Sequence, residues 1–127
     1  MTVQFEKVVP VFRIFSVEKA SEFYIDFLGF KIDWEGRRSP EAPVFMQISR
    51  AGLVIHLTEH HGDATPGSRA FVYVTGIKAL HRELTDKNYR HNRPGLQQQE
   101  WGMTDLTVTD PFNNRITFSE PTEVAPA

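Results

Sequence analysis

Apolar and polar residues alternate through residues 101–120, WGMTDLTVTDPFNNRITFSE. Two alternating arms flank the segment 110–114, which is rich in Asp, Pro and Asn. Those residue types are typical of turns, and alternation is typical of strands with one buried face. The pattern therefore predicts a β-hairpin.

The second arm of this hairpin has a counterpart earlier in the chain. ITFSE at 116–120 matches IHLTE at 55–59 in residue class at every position but one. TGIKA at 75–79 similarly echoes SVEKA at 16–20. Both offsets are close to 60 residues, which indicates an internal duplication. We predict units at about 6–59 and 68–120, a linker at 60–67 and a disordered tail at 121–127.

Helical periodicity appears once in each unit. In the first unit Ser16 is a plausible N-cap, and Gly29 ends the helix as a left-handed residue. The second unit has a weaker stripe that ends at Asn88. The stripe of the first helix consists of Ala20, Phe23, Tyr24, Phe27 and Leu28.

Shorter apolar segments surround each helix and predict strands at 8–15, 30–34, 44–49, 53–58 and 70–74. Residues 89–99 look irregular. With the hairpin, these elements predict an α+β domain spanning 1–127. Its two βαβββ repeats would form a curled mixed sheet around a cleft. Alternation then assigns the side chains that face the cleft: His56, Arg69, Phe71, Tyr73 and Thr117.

Composition and charge narrow the function further. The chain is 40% hydrophobic and 24% charged, as in ordinary globular domains. Its net charge of −2 gives no electrostatic footprint for nucleic acid. The absence of cysteine excludes disulfides, thiolate zinc sites and thiol nucleophiles. Without a long apolar run or a signal peptide, we expect a cytoplasmic protein that does not enter membranes.

Several motifs together resemble the glyoxalase/bleomycin resistance/dioxygenase superfamily, also called vicinal oxygen chelate proteins. They are FYIDFLGF at the end of the first helix, the duplicated unit, and Trp-Gly followed by Asp-Pro-x-x-Asn. One departure is Asn113, where the family usually has Gly. Asn tolerates the left-handed conformation, so this change is mild.

The resemblance also indicates where a metal would bind. Enzymes of this superfamily hold a divalent ion with His or Glu from the first and last strands of each unit. The matching positions here are about Pro10, His56, Arg69 and Thr117. Only His56 can ligate a metal ion well, and three protein donors are needed for a stable catalytic site. We therefore expect no metal and no other cofactor.

Among non-metal members, the chain most resembles the bleomycin resistance proteins. The likeness lies in residues 28–34, 70–74 and 99–102. It implies a homodimer that sequesters a cationic aromatic or glycopeptide-like antibiotic, without turnover, in a groove between chains. By this analogy the ligand-binding residues would be Asp33, Trp34, His56, Arg69, Phe71, Tyr73, Trp101 and Gly102. Aromatic faces beside a carboxylate suit a flat cation.

The sequence also fits alternative interpretations. Trp34 alternates with Phe30 and Ile32, so it belongs either to the core or to the groove. Trp101 is either a packing residue of a loop or a stacking surface. A metal-dependent enzyme of the same fold would use His56 with His60 or His61 and a carboxylate. A third alternative is a dimer scaffold whose cleft has closed.

Overall fold

Two four-stranded mixed sheets make up the fold, which a computed structural model describes for residues 2–123. The first sheet contains β1 (Val11–Arg13), β2 (Lys31–Gly36), β3 (Phe45–Arg50) and β4 (Leu53–Thr58), in the order β1-β4-β3-β2. The second contains β5 (Arg69–Tyr73), β6 (Leu96–Gln98), β7 (Met103–Thr109) and β8 (Arg115–Pro121), in the order β5-β8-β7-β6. In each sheet the first strand runs parallel to the last. The predicted α+β fold of two βαβββ units is confirmed.

The helix of the first unit changes its winding midway. It begins as α1 (Val17–Ser21), where the Ser16 hydroxyl accepts the Lys19 N–H as predicted, and continues as a π-helix (Glu22–Phe27). The Leu28 N–H accordingly bonds the Phe23 carbonyl, five residues back, at 2.9 Å. All five residues of the predicted stripe are at most 2% exposed. Burying each large apolar side chain contributes about 1.5–3 kcal/mol, so packing holds this unusual winding.

Gly29 ends this helix with φ of 77°, as the sequence predicted. A Cβ at this position would lie 3.1 Å from Arg50 Nη1. That guanidinium donates to the Leu28 carbonyl at 2.6 Å, and so satisfies a helix-end acceptor. Gly29 therefore provides both a left-handed turn and room for the arginine.

The helix of the second unit, α2 (Ile77–Asp86), begins without a capping side chain of its own. Gly76 is its N-cap residue, and the Glu120 carboxylate accepts the N–H groups of Gly76 and Ile77 at 3.1 and 2.9 Å. Glu59, the counterpart of Glu120 in the first unit, accepts the Val44 N–H at 3.0 Å. Each glutamate thus satisfies backbone donors within its own unit.

Strand register confirms the predicted faces. On the helix side of the sheets, Ile55, Leu57, Ile116 and Phe118 are at most 6% exposed, and Ala70, Val72 and Val74 pack against the same core. His56 pairs with Gln47, and Thr117 pairs with Thr107, on the opposite sides. One continuous cluster of buried apolar residues joins the two units.

Three element boundaries differ from the sequence prediction. Strand β1 spans only Val11–Arg13, whereas the sequence predicted a strand over 8–15. Val8, like Phe5 before it, is almost fully exposed and pairs with no strand among the described residues. A short strand, β6, lies within the segment that looked irregular. Strand β8 extends to Pro121, and the Thr122 N–H bonds the Gly102 carbonyl at 2.8 Å. Pro121 and Thr122, which fall in the predicted tail, are therefore joined to this sheet, and residues 124–127 of that tail lie outside the described part.

Candidate functional site

The sides of the two sheets that point away from the helices carry most of the predicted site residues. We call them the first face and the second face. The first face is defined by Asp33, Trp34, Phe45, Gln47, Ser49 and His56. The second face is defined by Arg69, Phe71, Tyr73, Asp105, Thr107, Arg115, Thr117 and Ser119.

A β-bulge in β2 builds the first face. Ile32 pairs with Ile48 and Trp34 pairs with Gln47, so Asp33 is the extra residue between them. A bulge breaks alternation and allows consecutive side chains to share a side of the sheet. Both Asp33 and Trp34 contact side chains of the first face. The interpretation of Trp34 as core together with Ile32, which rested on unbroken alternation, is wrong for this reason.

Three rings form an aromatic platform on this face. Trp34 stacks on Phe45, with centroids 5.9 Å apart and planes 11° apart. The His56 ring lies 5.6 Å from Trp34 and 5.2 Å from Phe45. His56 Nε2 and Gln47 Oε1 are 3.0 Å apart, which fixes the orientation of the imidazole. Trp34 is 46% exposed, so its ring remains open to a stacking partner.

Next to the platform, the Asp33 carboxylate is held from both sides. Gln47 Nε2 donates to one oxygen at 3.1 Å, and Ser49 Oγ donates to the other at 2.9 Å. These hydrogen bonds, from Gln47 first and then Ser49, lower the pKa of Asp33. Lys31 Nζ is 3.9 Å away in an exposed ion pair. At neutral pH the platform therefore has a fixed negative charge at its edge.

The second face combines aromatic rings with arginine. Phe71 and Tyr73 are 50% and 77% exposed, with ring centroids 5.4 Å apart in an edge-to-face arrangement. Arg69 Nη2 donates to Thr117 Oγ1 at 2.9 Å. Thr117 itself is 1% exposed, because it lies beneath Arg69 and beside Phe71.

Trp101 belongs to the loop between β6 and β7. It is 70% exposed, and Gly102 follows it with φ of 86°. The Gly102 carbonyl accepts the Thr122 N–H, so the loop is anchored while the indole remains open.

Sequence reasoning missed seven polar or aromatic residues of these faces: Phe45, Gln47, Ser49, Asp105, Thr107, Arg115 and Ser119. Phe45, Gln47 and Ser49 alternate with the buried Met46 and Ile48, so the period-two pattern of this strand could have placed them on the open side. Asp105 was also missed. It is 7% exposed and accepts from Ser119 Oγ at 2.5 Å and from Gln99 Nε2 at 3.3 Å. Asp105 alternates with apolar residues in the first arm of the predicted hairpin, and this alternation could have placed it on the open side.

The residues at the family's metal positions do not fit a divalent ion. The Pro10 carbonyl accepts the His56 N–H at 2.9 Å, and Arg69 and Thr117 bond each other. Among residues 2–123, no group of three His, Asp or Glu side chains is arranged to hold a metal. His60 Nδ1 lies 3.1 Å from Thr58 Oγ1 and 3.8 Å from Asp63 Oδ2, within a local turn. A single ligating side chain at the four positions falls short of the three donors that a catalytic ion requires.

Each face is open surface in the single chain. Trp34, Phe71, Tyr73 and Trp101 all belong to the large hydrophobic residues that remain exposed. Contiguous exposed aromatic surface marks sites where another molecule binds. In the described part of the chain, no helix is long and apolar enough to span a bilayer.

Comparisons with known proteins agree with this fold. A family model described as "Glyoxalase superfamily protein" matches residues 1–124. No curated protein matches the sequence.

Three solved structures have similar folds. A bleomycin-binding protein from Streptomyces verticillus, crystallised with copper(II)-bleomycin, is 26% identical and has a TM-score of 0.70. The match covers 97% of this chain and 100% of that protein. A bleomycin resistance determinant encoded on transposon Tn5 is 17% identical with a TM-score of 0.71, covering 94% and 100%. An antibiotic binding protein from a Streptomyces species is 21% identical with a TM-score of 0.68, covering 94% and 100%.

Proposed function

The chain belongs to the glyoxalase superfamily, and from that premise we propose that it binds and sequesters a cationic aromatic or glycopeptide-like antibiotic without altering it. The bleomycin-binding and antibiotic-binding proteins of similar fold support this choice within the superfamily. The ligand would be of the bleomycin type.

The observation that carries the proposal is the bulge at Asp33. It brings an ionised carboxylate and an exposed indole onto one side of the sheet, where Phe45 and His56 extend the aromatic surface. A flat cation gains stacking energy on such rings and electrostatic energy from the carboxylate. Because Gln47 and Ser49 already orient Asp33, little conformational entropy is lost when the ligand binds.

We propose that a second copy of the chain completes the groove. The first face offers a platform and a charge, but it is open on one side. The second face offers Phe71 and Tyr73, with Trp101 on the adjacent loop, and it is open as well. In a homodimer, the first face of one chain would lie opposite the second face of its partner, and the ligand would lie between them. Burial of a ligand on two sides is the usual condition for tight binding.

Titration with metal-free bleomycin, followed by tryptophan fluorescence, tests the proposal. We expect saturable quenching at one ligand per chain. Trp34→Ala removes the stacking surface, and Asp33→Asn removes the charge while keeping the shape. Each should weaken binding by about tenfold or more, which corresponds to roughly 1.4 kcal/mol. Bleomycin recovered from the complex should be chemically unchanged by mass spectrometry.

Asp26→Asn is a matched control, because Asp26 is an exposed carboxylate on the π-helix, away from both faces. The affinity of this variant for bleomycin should equal that of the parent chain. No quenching up to millimolar bleomycin would refute the proposal. Equal losses in Asp26→Asn and Asp33→Asn would also refute it, since they would show a net-charge effect. Stoichiometric divalent metal in protein purified without chelator would instead favour the metal-dependent enzyme.

A further inference from the structure

The second face carries two arginines directly opposite each other. Arg69 of β5 and Arg115 of β8 are Cα partners on neighbouring parallel strands, and both side chains are exposed. Neighbouring strands lie about 4.8 Å apart, so the two stems leave the sheet side by side. Like charges in such a pair are destabilising, which makes the pair costly unless something neutralises it.

No such neutralising group is present among residues 2–123. No described carboxylate lies within 4.0 Å of either guanidinium, whereas Arg50 pairs with Glu83 at 2.7 Å. The carboxylate among the residues that define this face, Asp105, pairs with Ser119, which is four positions along β8 from Arg115, and it accepts a hydrogen bond from that serine. The arginine pair is therefore an uncompensated positive charge on an otherwise aromatic surface.

A chain of hydroxyl groups fixes the orientation of one arginine. Arg69 Nη2 donates to Thr117 Oγ1 at 2.9 Å, and Thr117 Oγ1 lies 2.9 Å from Thr107 Oγ1 on the next strand. Both threonines belong to paired positions of β7 and β8. This bonding leaves further N–H groups of the guanidinium available. Since its orientation is already set, Arg69 loses little freedom when it binds a partner.

We propose that Arg69 and Arg115 bind an oxyanion, a carboxylate, sulfate or phosphate group, on the ligand of the second face. Guanidinium groups bind such oxygens through paired, charge-assisted hydrogen bonds. Phe71 is half-exposed on the same strand as Arg69 and would stack on the aromatic part of the ligand. This inference rests on the proposed function, because it describes the same groove. A ligand of that groove would then be dipolar, with its cationic end at Asp33 and its anionic end at the arginine pair.

Two fluorescent probes that differ only in charge test the inference. Anilinonaphthalene sulfonate carries an oxyanion on an aromatic body, and phenylnaphthylamine has the same body without it. Arg69→Gln and Arg115→Gln should each lower the affinity for the sulfonate probe by about tenfold, which is the effect of losing a charged hydrogen bond. The affinity for the neutral probe should not change. Added salt should lower the affinity for the sulfonate probe only, because salt screens its charge. Equal affinities for the sulfonate in all variants would overturn the inference.

Arg38→Gln is the matched control, because Arg38 is an exposed arginine in the loop between β2 and β3. It should leave both probes unchanged, and an equal loss there would overturn the inference. Arg115 makes no side-chain hydrogen bond to the described residues, so Arg115→Gln should fold normally. Without ligand, that variant should melt at the same temperature or a few degrees higher, because the repulsion is relieved. A lower melting temperature would show a structural role and overturn the inference.

Bleomycin titrations of the same variants separate this inference from the proposed function. If charge discrimination between the probes depends on the arginines while bleomycin does not bind, the oxyanion site stands and the proposed function fails. If bleomycin binds and the probes do not discriminate, the proposed function stands and the oxyanion site fails.

Discussion

Asp110 accepts four hydrogen bonds in a position that is 4% exposed. The Tyr24 hydroxyl donates to Oδ2 at 2.7 Å, and the Asn114 side chain donates to the same oxygen at 2.9 Å. The N–H groups of Phe112 and Asn114 donate to Oδ1, both at 2.8 Å. Burial nevertheless raises the pKa of Asp110, so the desolvation of its charge outweighs these donors. Burial, and secondarily the Asp110 charge, likewise raises the pKa of Tyr24.

Asn114 joins this network to the rest of the chain. Its side-chain Nδ2 donates to the Arg13 carbonyl at 2.8 Å, and its side-chain Oδ1 accepts the Ser68 N–H at 3.0 Å. The end of strand β1, the residue that precedes β5 and the β7–β8 turn therefore meet at one residue. This gives the Asp-Pro-x-x-Asn motif a structural role: it ties the first unit to the second.

Replacing Tyr24 with Phe should test how strongly this buried network depends on its donors. The substitution removes one hydrogen bond to a buried carboxylate and should lower the free energy of unfolding by about 1–3 kcal/mol. Because the pKa of Asp110 is already raised, the folded state disfavours its ionised form. Removing a donor should raise that pKa further, so the loss in Tyr24→Phe should be greater at pH 7 than below the pKa of Asp110.

Urea denaturation at several pH values measures both effects. Tyr73→Phe is the control, because Tyr73 is 77% exposed. Loss of its hydroxyl should change the free energy of unfolding by less than about 0.5 kcal/mol. Equal stability of the Tyr24→Phe variant and the parent chain would show that the hydrogen bond from Tyr24 contributes nothing to stability.

Helix α2 depends on a residue that is distant in sequence for its N-terminal cap. Glu120 is the penultimate residue of β8, and its two oxygens accept the N–H groups of Gly76 and Ile77. The negative charge also lies at the positive end of the helix dipole. A single carboxylate therefore couples the last strand of the second unit to the start of its helix.

Glu120→Gln should lower the free energy of unfolding by about 0.5–2 kcal/mol, because the amide keeps only one acceptor and loses the charge. Native-state hydrogen exchange should show the loss first in the amides at the start of α2. Glu123→Gln is a suitable control, since Glu123 forms only an exposed ion pair with Lys78 at 3.6 Å. Uniform protection of α2 in both variants would contradict the capping role.

At the scale of elements, periodicity was a good guide to faces and a poor guide to local irregularities. The stripe from Ala20 to Leu28 predicted a buried helix correctly, because burial depends on which side chains share a face. The same stripe fits α and π winding, so the sequence did not reveal the π-helix. The bulge at Asp33 was also hidden, since it depends on the register with Gln47 in another strand.

The same limit explains what was predicted of the candidate site. Asp33 and Trp34 were named from a resemblance, and whether they bind ligand stays a prediction. The period-two pattern could have placed Phe45 and Gln47 on the open side of their own strand, but it does not say that this strand lies beside Asp33 and Trp34. Arg115 was missed as well, because its position opposite Arg69 follows from the pairing of β5 with β8.

For the whole molecule, a clamp of charged residues at the end of the first helix joins one unit to the other in addition to the shared apolar core. Arg50, the last residue of β3, makes a bidentate pair with Glu83 of α2 at 2.7 and 2.8 Å. Lys87, the residue directly after α2, donates to the Asp26 and Phe27 carbonyls at 3.0 and 2.6 Å. The carbonyl end of the first helix is thus capped by cations from both units, which favours their alignment.

This clamp predicts a pH-dependent part of the stability. The hydrogen bond from Arg50 lowers the pKa of Glu83. A carboxylate whose pKa is lowered by folding stabilises the protein fully above its unfolded pKa, and the contribution is lost as the pH falls through the folded value. Glu83→Gln should therefore cost about 1 kcal/mol at pH 7, allowing for the partial exposure of the pair, and the difference from the parent chain should shrink below about pH 4.

Guanidinium denaturation would screen the pair, so urea at low salt is the suitable measurement. Glu41→Gln, a change of an exposed loop carboxylate, controls for net charge and should run parallel to the parent chain at every pH. Arg50→Lys keeps the charge but loses the bidentate geometry, and should show an intermediate loss. A constant difference between Glu83→Gln and the parent chain from pH 7 to pH 3 would mean that the clamp acts through packing, and that the charge on Glu83 contributes nothing to joining the units.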